Sequence, residues 1–193
     1  PELQVIQECV NFVLDASLVN PDSSLSLREC SFRQRMNETE FYFSVSQISL
    51  EIIKQFFPDL AESLRFESFK GFLHGFIDLI FEYQGKYYII DWKTNDLGKT
   101  VESYTGEGLN RAMTRHHYDL QALIYTIALN LFLKNRIKNY QYSHHFGGVY
   151  YLFVRGMAAF PKHPDAGVWF YQFPAEKIEK ISQMIGKSDG LAK

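Results

Sequence analysis

Cysteine is scarce in this chain of 193 residues, which has only Cys9 and Cys30. Two thiols cannot form a disulfide framework, a four-cysteine zinc site or a four-cysteine iron–sulfur cluster. This scarcity excludes the disulfide-stapled secreted proteins and fits a protein of the reducing cytoplasm.

Several other features are also missing. No apolar run approaches the roughly 20 residues that a membrane-spanning helix needs, and no basic-then-apolar leader is present, so we expect a soluble, unexported protein. No phosphate-binding loop ending in Gly-Lys-Ser or Gly-Lys-Thr occurs. Any ATP hydrolysis should therefore belong to other parts of the protein or to partners.

The hydrophobic content predicts a folded domain. Hydrophobic residues make up 46% of the chain and the net charge is −2, as in ordinary globular proteins. Surface scaling predicts that a chain of this length buries about 70% of its surface, enough for one domain spanning residues 1–193. Because the first residue is Pro1 rather than methionine, we expect a piece of a longer polypeptide.

Hydrophobic spacing predicts helices packed around a mixed β-sheet, an α/β fold. The strongest local signal is a β-hairpin whose strands, 66–81 and 87–92, flank a turn containing Gly85. A first helix over 3–14 should stop before Pro21. The other predicted elements are a strand at 41–45, a helical or irregular segment at 48–57, a long helix at 111–138, strands at 149–154 and 168–173, and a closing helix at 175–185.

The hairpin carries the residues most suggestive of chemistry. Asp91 and Lys93 project from the same face of one strand, and an antiparallel hairpin can bring Asp78 beside them. Two carboxylates in one site repel, and an apolar strand penalises their burial, unless a divalent cation neutralises them. Oxygen ligands favour magnesium, manganese or calcium, and a nearby lysine can hold a water or stabilise charge on a phosphate.

A structural reading competes with this one. Acids at strand ends commonly lie in solvent, and an Asp-x-Lys triplet is frequent in unrelated proteins. Asp78, however, follows Ile77 and precedes Leu79 within an apolar strand, where an uncompensated carboxylate would cost several kcal/mol. We therefore expect a partner for Asp78.

The spacing of these residues resembles a known signature. Gly75-x-x-Asp78, twelve intervening residues, and Asp91-x-Lys93 resemble the motif of the PD-(D/E)xK nuclease superfamily. Three further blocks, at 91–98, 117–125 and 142–156, resemble the nuclease domains of RecB-type helicase-nucleases. The resemblance implies a restriction-endonuclease-like core and a C-terminal position in a longer helicase-nuclease chain.

The same resemblance assigns roles to individual positions. It implies that Asp78 and Asp91 bind Mg²⁺, for which Mn²⁺ or Ca²⁺ can substitute in binding. Trp92 would lend its backbone carbonyl to the metal, and Lys93 would be the catalytic lysine. An acid on an earlier element is also implied, and Glu38 matches that position better than the nearby Glu40.

Gln121 and Tyr125 match the Gln-x-x-x-Tyr motif of RecB-type nucleases. Four residues apart, they share one helix face and can both reach a DNA strand or the catalytic acids. Spacing alone equally permits a helix-face hydrogen bond beneath a packed aromatic ring.

The chain departs from the family pattern at two positions. The proline that precedes the first aspartate in the superfamily is Ile77 here, which the RecB branch tolerates. RecB-type nucleases also carry a histidine upstream of the glutamate, whereas the first histidine here is His74. We expect that histidine to lie before Pro1, which would leave the metal site of this chain incomplete.

The implied function is that of a metal-dependent exodeoxyribonuclease acting in double-strand break repair and recombination. The implied partners are DNA with single-stranded ends, the RecC and RecD subunits and the RecA recombinase, with no membrane. One alternative is a non-catalytic nuclease-fold module that binds DNA or a protein. Another, an iron–sulfur nuclease, fails on the number of cysteines.

Basic residues mark the predicted long helix. They can steer phosphates, and a solvated helix face explains them almost as well. They are Arg111, Arg115, Lys134, Arg136 and Lys138.

Overall fold

The computed structural model describes residues 2–20, 23–49, 54–58 and 68–186. It begins with helix α1 (Glu2–Asp15) and a small antiparallel hairpin of β1 (Ser17–Asn20) and β2 (Ser23–Ser26). A mixed five-stranded sheet follows, and its strands in spatial order are β3 (Arg35–Ser49), β4 (Ser68–Tyr83), β5 (Lys86–Lys93), β6 (Phe146–Phe153) and β7 (Val168–Tyr171). Strands β5 and β6 run parallel, and the other neighbours are antiparallel.

Helices supply the connections that this sheet needs. Because parallel strands cannot be joined by a tight turn, the chain between β5 and β6 crosses over through α2 (Gly106–Arg115) and α3 (Tyr118–Arg136). The later helices are α4 (Tyr142–His145), α5 (Val154–Ala159) and α6 (Ala175–Gly186). The architecture is a mixed sheet flanked by helices, so the predicted α/β class is confirmed.

Apolar side chains fill both faces of the sheet. On one face, Ile89 and Tyr151 pack with Leu123 of α3. On the other face, Ile90 packs with Leu18 of the small hairpin. Strand β5 is therefore buried on both sides, and any charged residue on it needs a partner.

The predicted hairpin of β4 and β5 is present. Gln84 and Gly85 form its two-residue turn with φ values of 50° and 77°, a geometry that matches the right-handed twist of the strands. The pairing runs from Tyr83–Lys86 to Leu79–Ile90. This register puts Asp78 and Asp91 at the next opposing positions.

The prediction of one long helix over 111–138 is wrong. The segment divides into the end of α2 and the whole of α3, because His117 adopts a left-handed conformation with φ of 54° between them. The predicted basic residues therefore do not form one continuous face. Two lie on α2 and two in the last turn of α3, and Lys138 lies beyond the helix.

Other boundaries also differ from the predictions. The strand predicted at 41–45 is the middle of β3, which begins six residues earlier and therefore contains position 38. The β1–β2 hairpin was not predicted, β6 begins at Phe146, and β7 ends at Tyr171. In the segment predicted at 48–57, residues 48–49 are the last of β3, residues 54–56 are helical, and residues 50–53 lie outside the described residues. The first two residues of the predicted strand 66–81 also lie outside them.

The first and last predicted helices are confirmed, with boundaries at Glu2–Asp15 and Ala175–Gly186. Among the described residues, no helix is both long and apolar enough to cross a membrane.

Candidate functional site

Asp91 and Lys93 form an ion pair in the interior, at the end of β5. Lys93 Nζ lies 2.5 Å from Asp91 Oδ2, and the two side chains are only 12% and 4% exposed. The two residues share one face of β5, and that face is turned towards α3, where Ile89 belongs to the core. The predicted neighbourhood of this acid and this lysine is therefore present.

The Lys93 ammonium is held by α3 as well as by its own strand. Nζ donates a hydrogen bond of 3.1 Å to Gln121 Oε1. It also lies 3.9 Å from the centroid of the Tyr118 ring and 5.1 Å from that of Tyr151. Aromatic faces attract a cation, so these two rings and the amide oxygen fix the position of the ammonium group.

Gln121 and Tyr125 form one hydrogen-bonded unit. Gln121 Nε2 donates to the Tyr125 hydroxyl at 2.8 Å, and Gln121 Oε1 also accepts a bond from the Tyr151 hydroxyl at 3.1 Å. Burial, followed by the charges of Asp91 and Asp78, raises the pKa of Tyr125 to about 12, so its hydroxyl stays protonated. The helix-face hydrogen bond allowed by the spacing is present, and it orients the Gln121 amide towards Lys93.

Burial makes the ionised form of Asp91 unfavourable. Desolvation raises its pKa to about 6 from 3.8, and the charge of Asp78 adds to the rise, while the interaction with Lys93 opposes it. Asp91 Oδ2 is buried and has no partner with hydrogen-bond geometry. The close contact with Lys93 is therefore an ion pair that leaves the oxygen with unused capacity to accept.

The Asp78 carboxylate takes the place of a backbone hydrogen-bond acceptor for β5. Beyond the Leu79–Ile90 pair, the regular pairing of β4 with β5 stops, and the Trp92 N–H donates to Asp78 Oδ2 at 2.9 Å. The N–H and C=O of a strand residue point to the same edge, so the Trp92 carbonyl is directed to the same side as Asp78. The arrangement brings together a carboxylate and a carbonyl, both acceptors that a hard cation prefers.

Glu38 on β3 lies opposite Asp78 on β4. Asn37 pairs with Leu79 and Thr39 with Ile77, whereas Glu38 between them leaves the regular pairing with φ of 47°. Glu38, Asp78 and Trp92 line one pocket of ≈ 420 Å³. This pocket is named the acid pocket below.

Glu40, the other glutamate considered for this position, has a different partner. Its Oε1 lies 2.7 Å from His74 Nε2 at the exposed surface. The acid pocket is lined by Glu38 and not by Glu40.

The donor set is compatible with a hard divalent cation. The available groups are oxygens: the carboxylates of Asp78, Asp91 and Glu38 and the Trp92 carbonyl. Asp91 has an unsatisfied buried oxygen and a raised pKa, both of which a cation would relieve. The described residues contain no preformed group of three or more His, Cys, Asp or Glu side chains suited to a metal. A small cation that keeps several waters needs only one or two carboxylates, which the site offers.

Sequence reasoning missed the aromatic residues that surround Lys93. Tyr118 lies in the block 117–125 that resembles RecB-type nucleases, and its hydroxyl donates to Asn95 Oδ1 at 3.2 Å, which ties α3 to the chain after β5. Tyr151 pairs with Asp91 across the parallel strands β5 and β6. No local spacing signals that pairing, because the two residues are 60 positions apart in the chain.

Comparison with known proteins decides the family. The model of the PD-(D/E)XK nuclease superfamily matches residues 19–189. The chain belongs to the PD-(D/E)XK nuclease superfamily. Its members are metal-dependent nucleases, and the predictions of the superfamily, the fold and the nuclease class are confirmed.

Curated relatives of this nuclease chain are RecB subunits of the RecBCD enzyme. RecB of Escherichia coli (strain K12) is 41% identical over 187 residues, which cover 93% of the chain and 16% of that protein. RecB of Haemophilus influenzae (strain Rd) is 45% identical over 126 residues, 65% of the chain and 10% of that protein. RecB of Mycobacterium tuberculosis (strain H37Rv) is 41% identical over 124 residues, 61% of the chain and 11% of that protein. The chain thus spans a sixth or less of the length of these relatives.

Proposed function

We propose that this chain is the nuclease part of a RecB-type helicase-nuclease and hydrolyses DNA phosphodiester bonds with Mg²⁺. The observation that best supports this function is the position of Lys93 between Asp91 and α3. Lys93 Nζ lies 2.5 Å from Asp91 and 3.1 Å from Gln121. A buried lysine fixed on both sides beside two carboxylates suits metal-assisted hydrolysis better than a purely structural ion pair.

Four oxygen donors would hold the metal in this proposal. Asp78 and Asp91 are the main ligands, and the Trp92 carbonyl and Glu38 complete or support the set. A bound Mg²⁺ would supply Lewis-acid stabilisation of the phosphate charge and lower the pKa of a coordinated water. Mn²⁺ or Ca²⁺ can take the same oxygens in binding.

Lys93 acts on the reacting phosphate. An ammonium group has three donors, of which Gln121 accepts one, while Asp91 lies in ion-pair contact. A remaining donor can hold the attacking water or a non-bridging phosphate oxygen, where it stabilises the charge that develops during hydrolysis. The products expected from the family resemblance are a 5′-phosphate and a 3′-hydroxyl.

Gln121 and Tyr125 serve as positioning residues. Tyr125 fixes the amide of Gln121 with a hydrogen bond of 2.8 Å, so that Oε1 faces the Lys93 ammonium. A donor held in place costs no reorganisation during the reaction. We therefore propose that these two residues position Lys93, rather than only contact the DNA strand.

The names of the relatives support the proposed partners, because those relatives are subunits of the RecBCD enzyme. We propose that this chain works with RecC and RecD on DNA with single-stranded ends, in the cytoplasm. Exonucleolytic digestion, double-strand break repair, recombination and docking of RecA belong to this proposal. Sequence readout should be weak, because stacking and backbone contacts dominate in single-strand binding.

Digestion of a labelled single strand tests the proposal. We expect the chain to cut with Mg²⁺ and not with EDTA, to lose cutting in Asp91→Ala, and to leave 5′-phosphate ends. A longer version with upstream residues is the companion sample, since activity confined to it would place the family histidine before Pro1. Cutting by Asp91→Ala at the wild-type rate would contradict the proposed site.

A non-catalytic module that binds DNA or a protein is the second candidate. Its supporting observation is that Asp91 is neutralised by Lys93, and that the described residues include no preformed three-residue metal cluster. Calorimetric titration with Mg²⁺ and Mn²⁺ separates the candidates. The nuclease reading requires binding that Asp91→Asn weakens, whereas the module reading requires no binding in a folded protein.

A further inference from the structure

Three aromatic rings form an exposed cluster on β3 and β4. Tyr42 and Phe76 are 57% and 50% exposed, and the side chain of His74 between them is 49% exposed. The centroid of the His74 ring lies 6.2 Å from that of Tyr42 and 5.4 Å from that of Phe76. Contiguous exposed apolar surface is typical of interaction sites. These three residues are named the aromatic platform.

The platform lies on the face of these two strands that is turned away from α3. Its strand neighbour Phe41 packs edge-on against Tyr125 at 5.6 Å and covers Gly75, where a Cβ would come within 2.8 Å of the ring. Because side chains alternate along a strand, Tyr42, His74 and Phe76 point the other way. Residues 68–77 of β4 pair only with β3 among the described strands, so this part of the sheet is a two-stranded ribbon.

The platform continues into the acid pocket. Phe76 precedes Asp78 by two residues, and on the paired strand Glu40, which contacts His74, follows Glu38 by two residues. Two residues of a strand span about 6–7 Å. The acid pocket is also lined by Leu79, which belongs to the face turned away from α3, so the pocket begins close to the rings on that face.

An arginine lies on the other side of the acid pocket. Arg35 lines that pocket and also a second one of ≈ 270 Å³. Its Nε is buried with no hydrogen-bond partner, and its guanidinium lies 5.6 Å from the ring of Phe32, which is 76% exposed. A guanidinium always carries its charge and fits phosphate oxygens, so Arg35 at the edge of the two pockets can bind an anion.

We propose that a single strand of DNA lies along β3 and β4, with bases stacked on the aromatic platform and a backbone phosphate bound by Arg35. This inference rests on the proposed nuclease function and names the path by which the strand reaches the acid pocket. From Arg35 to Tyr42 the strand β3 spans about 23 Å, which several nucleotides can follow. Rings for bases and a cation for phosphate are the combination that single-strand-binding proteins use.

Binding without cleavage tests the path. The probe is a fluorescein-labelled oligothymidylate of about 12 nucleotides, compared with an abasic strand of equal length, in EDTA so that nothing is cut. Phe76→Leu should bind the thymidylate roughly fivefold more weakly or worse and bind the abasic strand as the wild type does. Phe12→Leu, which changes a ring 45% exposed on α1, should bind both strands as the wild type does.

Salt dependence tests the arginine. Arg35→Met should bind both strands more weakly and reduce the slope of log affinity against log salt by about 0.7, the value for one phosphate contact on a single strand. Arg35→Lys keeps the charge and should keep the slope. Arg155→Met, an exposed arginine on α5 that lines neither pocket, is the matched control. Thermal melting by circular dichroism verifies that each variant is folded.

Two results would overturn the path: thymidylate binding by Phe76→Leu at wild-type affinity, or an unchanged salt slope in Arg35→Met. The first would make the platform a surface for a protein partner. Cleavage with Mg²⁺, measured separately on the wild type, keeps this inference distinct from the proposed function. Cleavage without these binding losses rejects the path alone. The losses without cleavage, both by this chain and by the longer version with upstream residues, reject the nuclease activity alone.

Discussion

The Lys93 ammonium and the Gln121 side-chain oxygen lie 3.1 Å apart, across 28 residues of sequence, and join the end of β5 to the first turns of α3. The same oxygen accepts a bond from Tyr151 on β6. One amide thus connects two strands and a helix at the position of the ion pair. This connection explains why Gln121 should matter for the rate of cleavage even though it is not a metal ligand.

Removal of the amide should slow catalysis. In Gln121→Leu, Lys93 and the Tyr151 hydroxyl lose their acceptor and the Tyr125 hydroxyl loses its donor. We therefore expect kcat to fall roughly 10- to 100-fold with little change in KM. Single-strand digestion at several DNA concentrations measures both parameters. Gln141→Leu, at an exposed glutamine, is the control. A change in KM alone would assign Gln121 to strand binding instead.

The Tyr118 ring should contribute to the rate of cleavage through the contact of its face with the Lys93 ammonium. Tyr118→Leu should slow cleavage roughly three- to thirtyfold, because a cation–π contact at 3.9 Å disappears. Tyr118→Phe keeps the ring and loses only the bond to Asn95, so it should stay close to the wild-type rate. Equal losses in the two variants would show that the hydroxyl, rather than the ring, is the part that matters.

Asp91 should make the stability of the metal-free protein depend on pH. Its pKa is raised to about 6 from 3.8 by burial, so the folded state binds this proton more tightly than the unfolded chain does. The free energy of unfolding should therefore fall as the pH rises from about 4 to about 6, by roughly 3 kcal/mol for a shift of this size. Urea unfolding in EDTA at pH 4.5 and 7 should record about 2 kcal/mol of this fall, because an aspartate of the unfolded chain is already mostly ionised at pH 4.5.

Asp91→Asn is the matched variant for that measurement. It has no proton to lose, so its stability should decrease less than that of the wild type between the two pH values. A decrease of the same size in both proteins would assign the pH dependence to other groups.

Breaking the ion pair from the lysine side should destabilise the fold. Lys93→Met leaves Asp91 buried without its cation, which should cost about 3 kcal/mol at pH 7. The double variant Asp91→Asn with Lys93→Met removes both charges and should regain part of that loss. Urea unfolding of the two single variants and the double variant forms the cycle. Strict additivity would mean that the pair does not interact in solution.

The local part of the site could be predicted from the sequence. Asp78, Asp91 and Lys93 belong to one hairpin, and a two-residue turn with Gly85 fixes its register, so their proximity follows from short-range rules. Trp92 could be named only through the family resemblance. The bond from its N–H to Asp78 depends on where the pairing of the strands stops.

The remote part of the site could not be predicted. The position of Tyr151 beside Asp91 depends on the parallel pairing of β5 with β6, which only the packed fold determines. The break between α2 and α3 depends on the left-handed His117, a conformation that non-glycine residues adopt only in a favourable context. That break starts a new helix at Tyr118, the residue whose ring contacts Lys93.

The central claim is that Asp91 belongs to a metal-dependent cleavage site, and single-turnover cleavage of an end-labelled single strand over a range of Mg²⁺ concentrations tests it most directly. The account predicts that the wild type cuts with Mg²⁺ and not with EDTA. Asp91→Asn should bind the strand equally well and cut at least about 100-fold more slowly at every Mg²⁺ concentration. Cleavage by Asp91→Asn within a few-fold of the wild-type rate would contradict the account.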